Sequence, residues 1–406
     1  MDEKRIMKEI KSLEWFLGPW EAEVWKTVTE GIMDYKQKTI IKGFLDAHSH
    51  IDRAFTFSPE YLPLSIHLNE VADYPLSVKQ DMIGQLHNGN AYREDSLRER
   101  MTRQIERAIR VGTRELWAIT DTTPDIGLRA FSIMQKLKNE YIDQLSLKVG
   151  CYPVFGLKNP LVNRDRLDVL EEAAQTADFI VGLPEKDRGA DRIGFKGHVN
   201  ILLEMGVAYK QEVHLHVDQT NTAFTSDTFQ AIECLEGLVP EKLNYYRFGD
   251  RPKIWMVHVI GPSCYDAKTF SLLIHKLLEY NIGIIICPRA ALSMRDLRSE
   301  KTPTHNSIAR VIEMLKAGVK MSFGTDNIND IFVPSGNGLV LSELDILWDA
   351  IRNYNQHILA KVGMGIDLDN SDREILGRAL YEKRKAIEMH QNFMDQELSN
   401  GKLFNY

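Results

Sequence analysis

The chain has 406 residues, 44% of them hydrophobic and 26% charged, an ordinary globular composition able to bury a large core and unlike that of a disordered or fibrous protein. A formal net charge of −7 and a pI near 6.0 argue against a general affinity for nucleic acid, which needs a basic stripe to neutralise phosphates. No stretch approaches the roughly 20 apolar residues of a membrane span.

Residues 1–43 offer little strand character and read as an N-terminal extension. From residue 44 onward short β-rich runs alternate with longer segments of helical period. The expected strands are 44–48 (FLDAH), 114–119 (RELWAI), 145–152 (LSLKVGCY), 178–183 (DFIVGL), 211–216 (QEVHLH), 253–259 (KIWMVHV), 281–287 (NIGIIIC) and 319–325 (VKMSFGT). Expected helices between them include 166–176, 197–205, 266–279 and 306–317. Strands alternating with helices imply a parallel sheet, and eight such units predict an α/β fold, a (β/α)8 TIM-type barrel over 44–338. Between the first two strands, residues 53–113 hold an irregular piece rich in Pro, Asn and His and then a long amphipathic helix near 95–111, an insert placed to act as a lid. After the turn VPSGNG, helices over 339–357 and 372–396 make residues 339–406 a C-terminal helical extension packed on the barrel.

The charged start MDEKRIMKEIKSLEW lacks the basic-then-apolar pattern of a secretory leader. Cys151, Cys234, Cys264 and Cys287 are far apart, with no CxxC pair, so they read as reduced thiols. The expectation is a cytoplasmic protein whose partner is a small-molecule substrate, not nucleic acid or membrane, with room left for a homo-oligomer.

A barrel of this type carries its active site where strands end, at the C-terminal face. His48 and His50 in DAHSHID are two apart on an extended segment and share a face. The fifth strand end brings His214 and His216 in EVHLHVDQ, the sixth His258 in MVHV, the eighth Asp326 in FGTDNIND. A lone histidine at a strand end is more often a satisfied core or surface group than a ligand. A pair on the first strand, another on the fifth, one on the sixth and an Asp on the eighth, in that order, are hard to obtain by chance and suit a divalent cation.

These pieces, with GFLDAHSHIDRAF, RVGTRELW, LSLKVGCYP, FIVGLPEKD and RVIEMLKAGVKMSFGTDNINDIFVPSGNG over residues 43–345, resemble the amidohydrolase superfamily, most closely its cytosine deaminase-like branch. The resemblance implies one divalent ion, Zn or Fe or else Mn, held by His48, His50, His216 and Asp326. Asp326 would also accept a proton from the metal-activated water, and His258 would face the substrate or the nascent oxyanion. The implied reaction is attack of that water on a C–N bond of a small polar molecule, by N-heterocycle deamination or amide-type hydrolysis. The alternative is a catalytically impaired barrel acting as a binding or scaffold protein.

Two departures bear on substrate. The cytosine deaminases read HxxE on the fifth strand, with the Glu shuttling a proton to the ring; Gln219 stands there, and an amide shuttles no proton. The glutamine that binds the pyrimidine falls at Val154. Cytosine is therefore not expected as the substrate, unless Asp218, Glu185 or Asp187 has taken over. The small β-sandwich many relatives build from both chain ends is expected to be reduced or absent.

Other residues have two readings each. Arg53 and Arg289 follow the first and seventh strands, as substrate-anion grips or as ion pairs; Glu185 and Asp187 are substrate-binding candidates or solvated loop charges. Asp52 and Asn327 are candidate supports for the site or plain turn residues. His214, one pleat deeper than His216, reads as a buried, hydrogen-bonded histidine, and Lys196 as a surface lysine. No GxSxG elbow, HExxH helix, P-loop or PCxxC signature is present.

Overall fold

A computed structural model describes residues 17–34, 38–62, 74–220, 222, 225–294 and 308–399. Eight parallel strands form one sheet in sequence order: β1 Phe44–Ser49, β2 Thr113–Asp121, β3 Ser146–Tyr152, β4 Phe179–Gly182, β5 Glu212–Val217, β6 Ile254–His258, β7 Ile282–Ile286 and β8 Met321–Phe323. All eight expected strands are present, with ends that agree within two residues. Strands such as β7 (IGIII) are buried along their whole length, because helices cover the outer face while the barrel interior covers the other.

The cylinder closes between β8 and β1. Ser49 and Asp326 form a parallel bridge, with Asp326 N donating to His48 O at 2.7 Å and His50 N to Asp326 O at 2.8 Å. Gly324 permits this approach, since a Cβ there would lie 2.5 Å from His48 Cβ and 2.7 Å from His48 O. The deeper barrel is plugged by rings: His214 stacks on Phe179 at 4.4 Å between centroids, with Trp117 at 5.4 Å. His214 is buried as expected, but rings rather than hydrogen bonds hold it; its Nε2 lies 3.7 Å from Glu212 Oε2.

Three expectations need correction. The irregular part of the insert contains a helix, Leu76–His87. Its inward face includes Lys79, Gln80 and His87 beside Met82, Ile83 and Leu86, so polar residues mask the apolar period. The single helix expected over 339–357 is two, Val340–Ile351 and Gln356–Gly363. Arg352 adopts φ +53° and Asn355 caps the second helix by accepting from Ile358 N at 2.9 Å. The helix expected over 306–317 runs Val311–Ala317, residues 306 and 307 lying outside the described part. Outside the barrel, the described strands are the short antiparallel pair Ile32–Asp34 and Thr39–Ile41. No helix among the described residues is long and apolar enough to cross a membrane.

Candidate active site

Side chains from five strand ends converge at the C-terminal mouth. His48 Nε2 and His216 Nε2 are 3.1 Å apart, and Asp326 Oδ1 lies 3.3 Å from His50 Nε2 and 3.8 Å from His48 Nε2. His258 Nε2 is 3.9 Å from Asp326 Oδ2. All five are buried. Possible ligand atoms of His48, His50 and His216 lie within 4.8 Å of one another, as do those of His258, Cys287 and Asp326.

The local backbone serves this convergence. His258 and Asp326 adopt φ +78° and +54° where their strands end, and the β-branched Val259 adopts +51°. Such conformations cost on the order of 1–3 kcal/mol each and persist where surrounding structure imposes them, commonly at functional sites. Tyr152, at the end of β3, packs against His50 and His216 with centroids 5.3 and 5.2 Å away.

The electrostatics suit a cation. Burial first, and then neighbouring imidazoles or Arg53, hold His48, His50 and His216 well below the usual histidine range, so they are neutral as metal ligands must be. His216 Nδ1 faces Gly182 O at 3.0 Å, which fixes a proton on Nδ1 and leaves the Nε2 lone pair toward His48. His48 Nδ1 and His50 Nδ1 are buried without hydrogen-bond partners. Burial, with Asp330 the next contributor, pushes the Asp326 carboxyl up to about 8, and burial holds His258 down to about 4. Three neutral imidazoles and one carboxylate form the donor set of a divalent transition-metal site.

A cavity opens over these residues, lined by His50, His216, His258 and Asp326 together with Arg53, Val154, Gln219 and Asn327. Asn327 Nδ2 donates to Asp326 Oδ1 at 3.0 Å. Gln219 Nε2 donates to Glu185 Oε1, and Gln80 Nε2 reaches the same oxygen at 3.3 Å. Glu185 thus sits behind the two amides and not on the cavity wall. Asp187 is spent on structure, accepting from Leu157 N at 2.7 Å and Lys158 N at 2.8 Å, with His198 Nδ1 at 2.6 Å. Asp218 likewise accepts from Asp227 N and Thr228 N. Arg289 is also outside, paired with Glu343 at 3.3 Å. Asp52 accepts from Tyr92 OH at 3.0 Å and Asp121 N at 2.8 Å, supporting the loop after β1. Lys196 pairs with Glu233 at the surface.

Sequence reasoning missed Tyr152, Cys287, Lys79 and Gln80. The first two end the β3 and β7 segments, where every polar strand end is a candidate; the other two come from the insert helix, which gave no clean period.

No protein-family model matches the chain. In sequence it is similar to an uncharacterized protein of Haemophilus influenzae, 25% identical over 292 residues that span 71% of this chain and 97% of that one. It is also similar to the N-isopropylammelide isopropyl amidohydrolase of a Pseudomonas species, 22% identical over 330 residues, 78% of this chain and 70% of the relative. Among solved structures, 5-methylcytosine deaminase from Klebsiella pneumoniae liganded with phosphonocytosine matches with a TM-score of 0.67 at 21% identity, over 82% of this chain and 75% of that one. N-isopropylammelide isopropylaminohydrolase from Burkholderia multivorans matches at 0.58 and 16% identity, over 82% and 74%. The chain is thus similar in sequence to one amidohydrolase, and it shares its barrel fold with 5-methylcytosine deaminase and N-isopropylammelide isopropylaminohydrolase.

Proposed function

We propose that the protein is a cytoplasmic metal-dependent hydrolase that cleaves a C–N bond of a small polar molecule other than cytosine, deaminating an N-heterocycle or opening an amide-type bond. The observation that carries this reading is the meeting of His48, His50, His216 and Asp326 at one buried point of the barrel mouth. Those four would hold one divalent ion, Zn or Fe by preference and Mn as the alternative, with His258 beside them. When bound, such an ion acidifies a coordinated water and polarises the group under attack.

The chain's own residues supply the rest. Asp326, fixed by Asn327 Nδ2, is positioned to take the proton of the attacking water and return it to the leaving nitrogen. His258, kept neutral by burial, offers a hydrogen bond to the developing oxyanion. Gln219 presents an amide where a cytosine deaminase has its shuttling carboxylate, and Val154 presents no hydrogen bond to a pyrimidine, which together remove cytosine from the substrate range.

The test joins metal content with ammonia or amine release over a panel of heterocycles and amides. About one divalent ion per chain, turnover of at least one panel member and negligible action on cytosine are expected. Protein that is metal-free after growth in metal-replete medium would overturn the reading. Metal retained with no turnover on a broad panel would favour the second reading, a binding protein, for which Gln219 is the motive.

A further inference from the structure

Asp326 faces two sets of donors. Its Oδ1 lies on the side of the four-residue centre, 3.3 Å from His50 Nε2 and 3.8 Å from His48 Nε2, whereas its Oδ2 lies 3.9 Å from His258 Nε2. Cys287, the residue that follows β7, joins this second side: its Sγ and one ligand atom each of His258 and Asp326 all lie within 4.8 Å of one another. His48, His50 and His216 form a group of their own on the same criterion. A carboxylate has two oxygens with about four lone-pair directions, enough to serve one cation on each side.

Most buried cysteines pack as small hydrophobes, but Cys287 differs in its company. An imidazole, a carboxylate and a thiol, each at most 5% exposed, make up a donor mixture that suits zinc and similar ions. Bonds of about 2.0–2.2 Å to nitrogen or oxygen let one ion bridge the 3.9 Å between His258 and Asp326, with a bond of about 2.3 Å to sulfur. His258 and Asp326 line the cavity and give an ion its entrance, while Cys287 is covered, at 1% exposure. The thiol sheds its proton to solvent on coordination, and three protein ligands leave a fourth position to water.

We propose that Cys287, His258 and Asp326 form a second cation position, selective for thiophilic divalent ions such as zinc, and that its occupation stops hydrolysis by engaging His258 and Asp326. Only the effect on hydrolysis rests on the reading above; the position itself stands on the three side chains and their spacing. Asp326 then links the two ions, so the working enzyme holds one and excess metal silences it.

Cobalt(II), titrated into chelator-stripped protein and followed by absorption, reports on the thiolate directly, because sulfur-to-cobalt charge transfer appears in the near ultraviolet when a cysteine coordinates. The wild type should take up two equivalents, with the charge-transfer band growing in with the second. Cys287→Ser should keep the first equivalent and lose both the second and the band, and Cys264→Ser should behave as wild type. His50→Ala weakens the four-residue centre and should keep the band. Uptake of a single equivalent, a band that accompanies the first, a band that survives in Cys287→Ser, or loss of the first equivalent from that variant would overturn the proposal. Turnover of a panel substrate is the second readout: zinc beyond one equivalent should lower wild-type turnover by at least about ten-fold, and Cys287→Ser should resist it. Equal inhibition of the two proteins would overturn the inhibitory role. Protein that holds two ions and shows the band, yet hydrolyses nothing on the panel, would sink the hydrolase reading and leave the cation position standing.

Discussion

Asp46, at the start of the first barrel strand, accepts hydrogen bonds from both the backbone amide and the hydroxyl of Thr325, at 3.0 and 2.7 Å. The two residues lie 279 positions apart, and their contact pins β8 to β1 one step below the site. Both donors and the acceptor are buried. Asp46→Ala should leave the Thr325 amide unpaired and lower stability by about 2–3 kcal/mol, while Thr325→Val should cost about 1 kcal/mol. His48 and Asp326 are positioned by this seam, so metal content should fall with stability in the Asp46 variant. Urea unfolding and metal analysis of the two variants check this; unfolding midpoints equal to wild type would mean that backbone closure alone holds the seam.

His87 bridges two carboxylates, with Nε2 3.1 Å from Asp121 and Nδ1 2.7 Å from Asp125. Burial alone would lower its proton affinity, but the hydrogen bonds and charges of Asp121 and Asp125 outweigh it and hold the imidazole up to about 9. The folded state therefore binds this proton more tightly than an unfolded histidine near 6.5. Its stabilisation is fully present below pH 6.5 and is lost as pH rises toward 9, a span worth on the order of 2 kcal/mol. Wild type should lose stability across that window and His87→Gln should show a flatter profile. Parallel slopes in unfolding free energy from pH 6.5 to 9 would assign the dependence to other groups.

The strands were legible because a parallel barrel buries both faces of each, leaving short apolar runs such as IGIII that stand out against helical segments. The histidines and Asp326 stood out for a different reason: one polar strand end means little, but His or Asp at the ends of the first, fifth, sixth and eighth strands together is a combination hard to obtain by chance. Legibility failed where tertiary contacts override local pattern. Nothing local in LSVKQDMIGQLH tells that Lys79 and Gln80 face inward, since the cavity they meet is built by strands about 30 to 250 residues away in sequence. The fates of Glu185 and Asp187 were equally hidden. They are two positions apart, yet one serves the amides at the mouth and the other ties down the backbone of residues 157 and 158.

Asp326 separates holding a cation from moving a proton. An asparagine there keeps the shape and one carbonyl oxygen, so the approach to His50 and the backbone pairing with His48 survive, but it takes no proton. Asp326→Asn should fold normally, retain part of its metal and lose turnover by at least about 10²-fold, the low end for a lost acid–base group. His50→Ala, by contrast, should lose most of the metal. Undiminished turnover by Asp326→Asn would move the proton acceptor to another residue.

The sequence resemblance expects a glutamate where Gln219 stands, and the environment of Gln219 makes that change informative. Its amide donates to Glu185, whose one oxygen also receives Gln80, and burial already raises the Glu185 carboxyl above its ordinary range. A glutamate at 219 would set two carboxylates against each other in a poorly solvated place, and one of them must then keep a proton or push the other away. Because the folded pair would hold protons more tightly than the unfolded chain, the penalty is small near pH 4 and grows as pH rises through the raised values. Gln219→Glu should therefore match wild type most closely at low pH and fall behind it by about 1–3 kcal/mol at neutral pH. It should also lose activity on the native substrate, since the added charge disturbs the wall that Gln219 and Gln80 share. Thermal melts from pH 5 to 8 and turnover on the identified substrate provide the measurement. A large gain in native activity would show that the missing carboxylate was the deficiency, and would identify Gln219 as decay from a deaminase and the protein as closer to a binding barrel than to an enzyme fitted to a different leaving group.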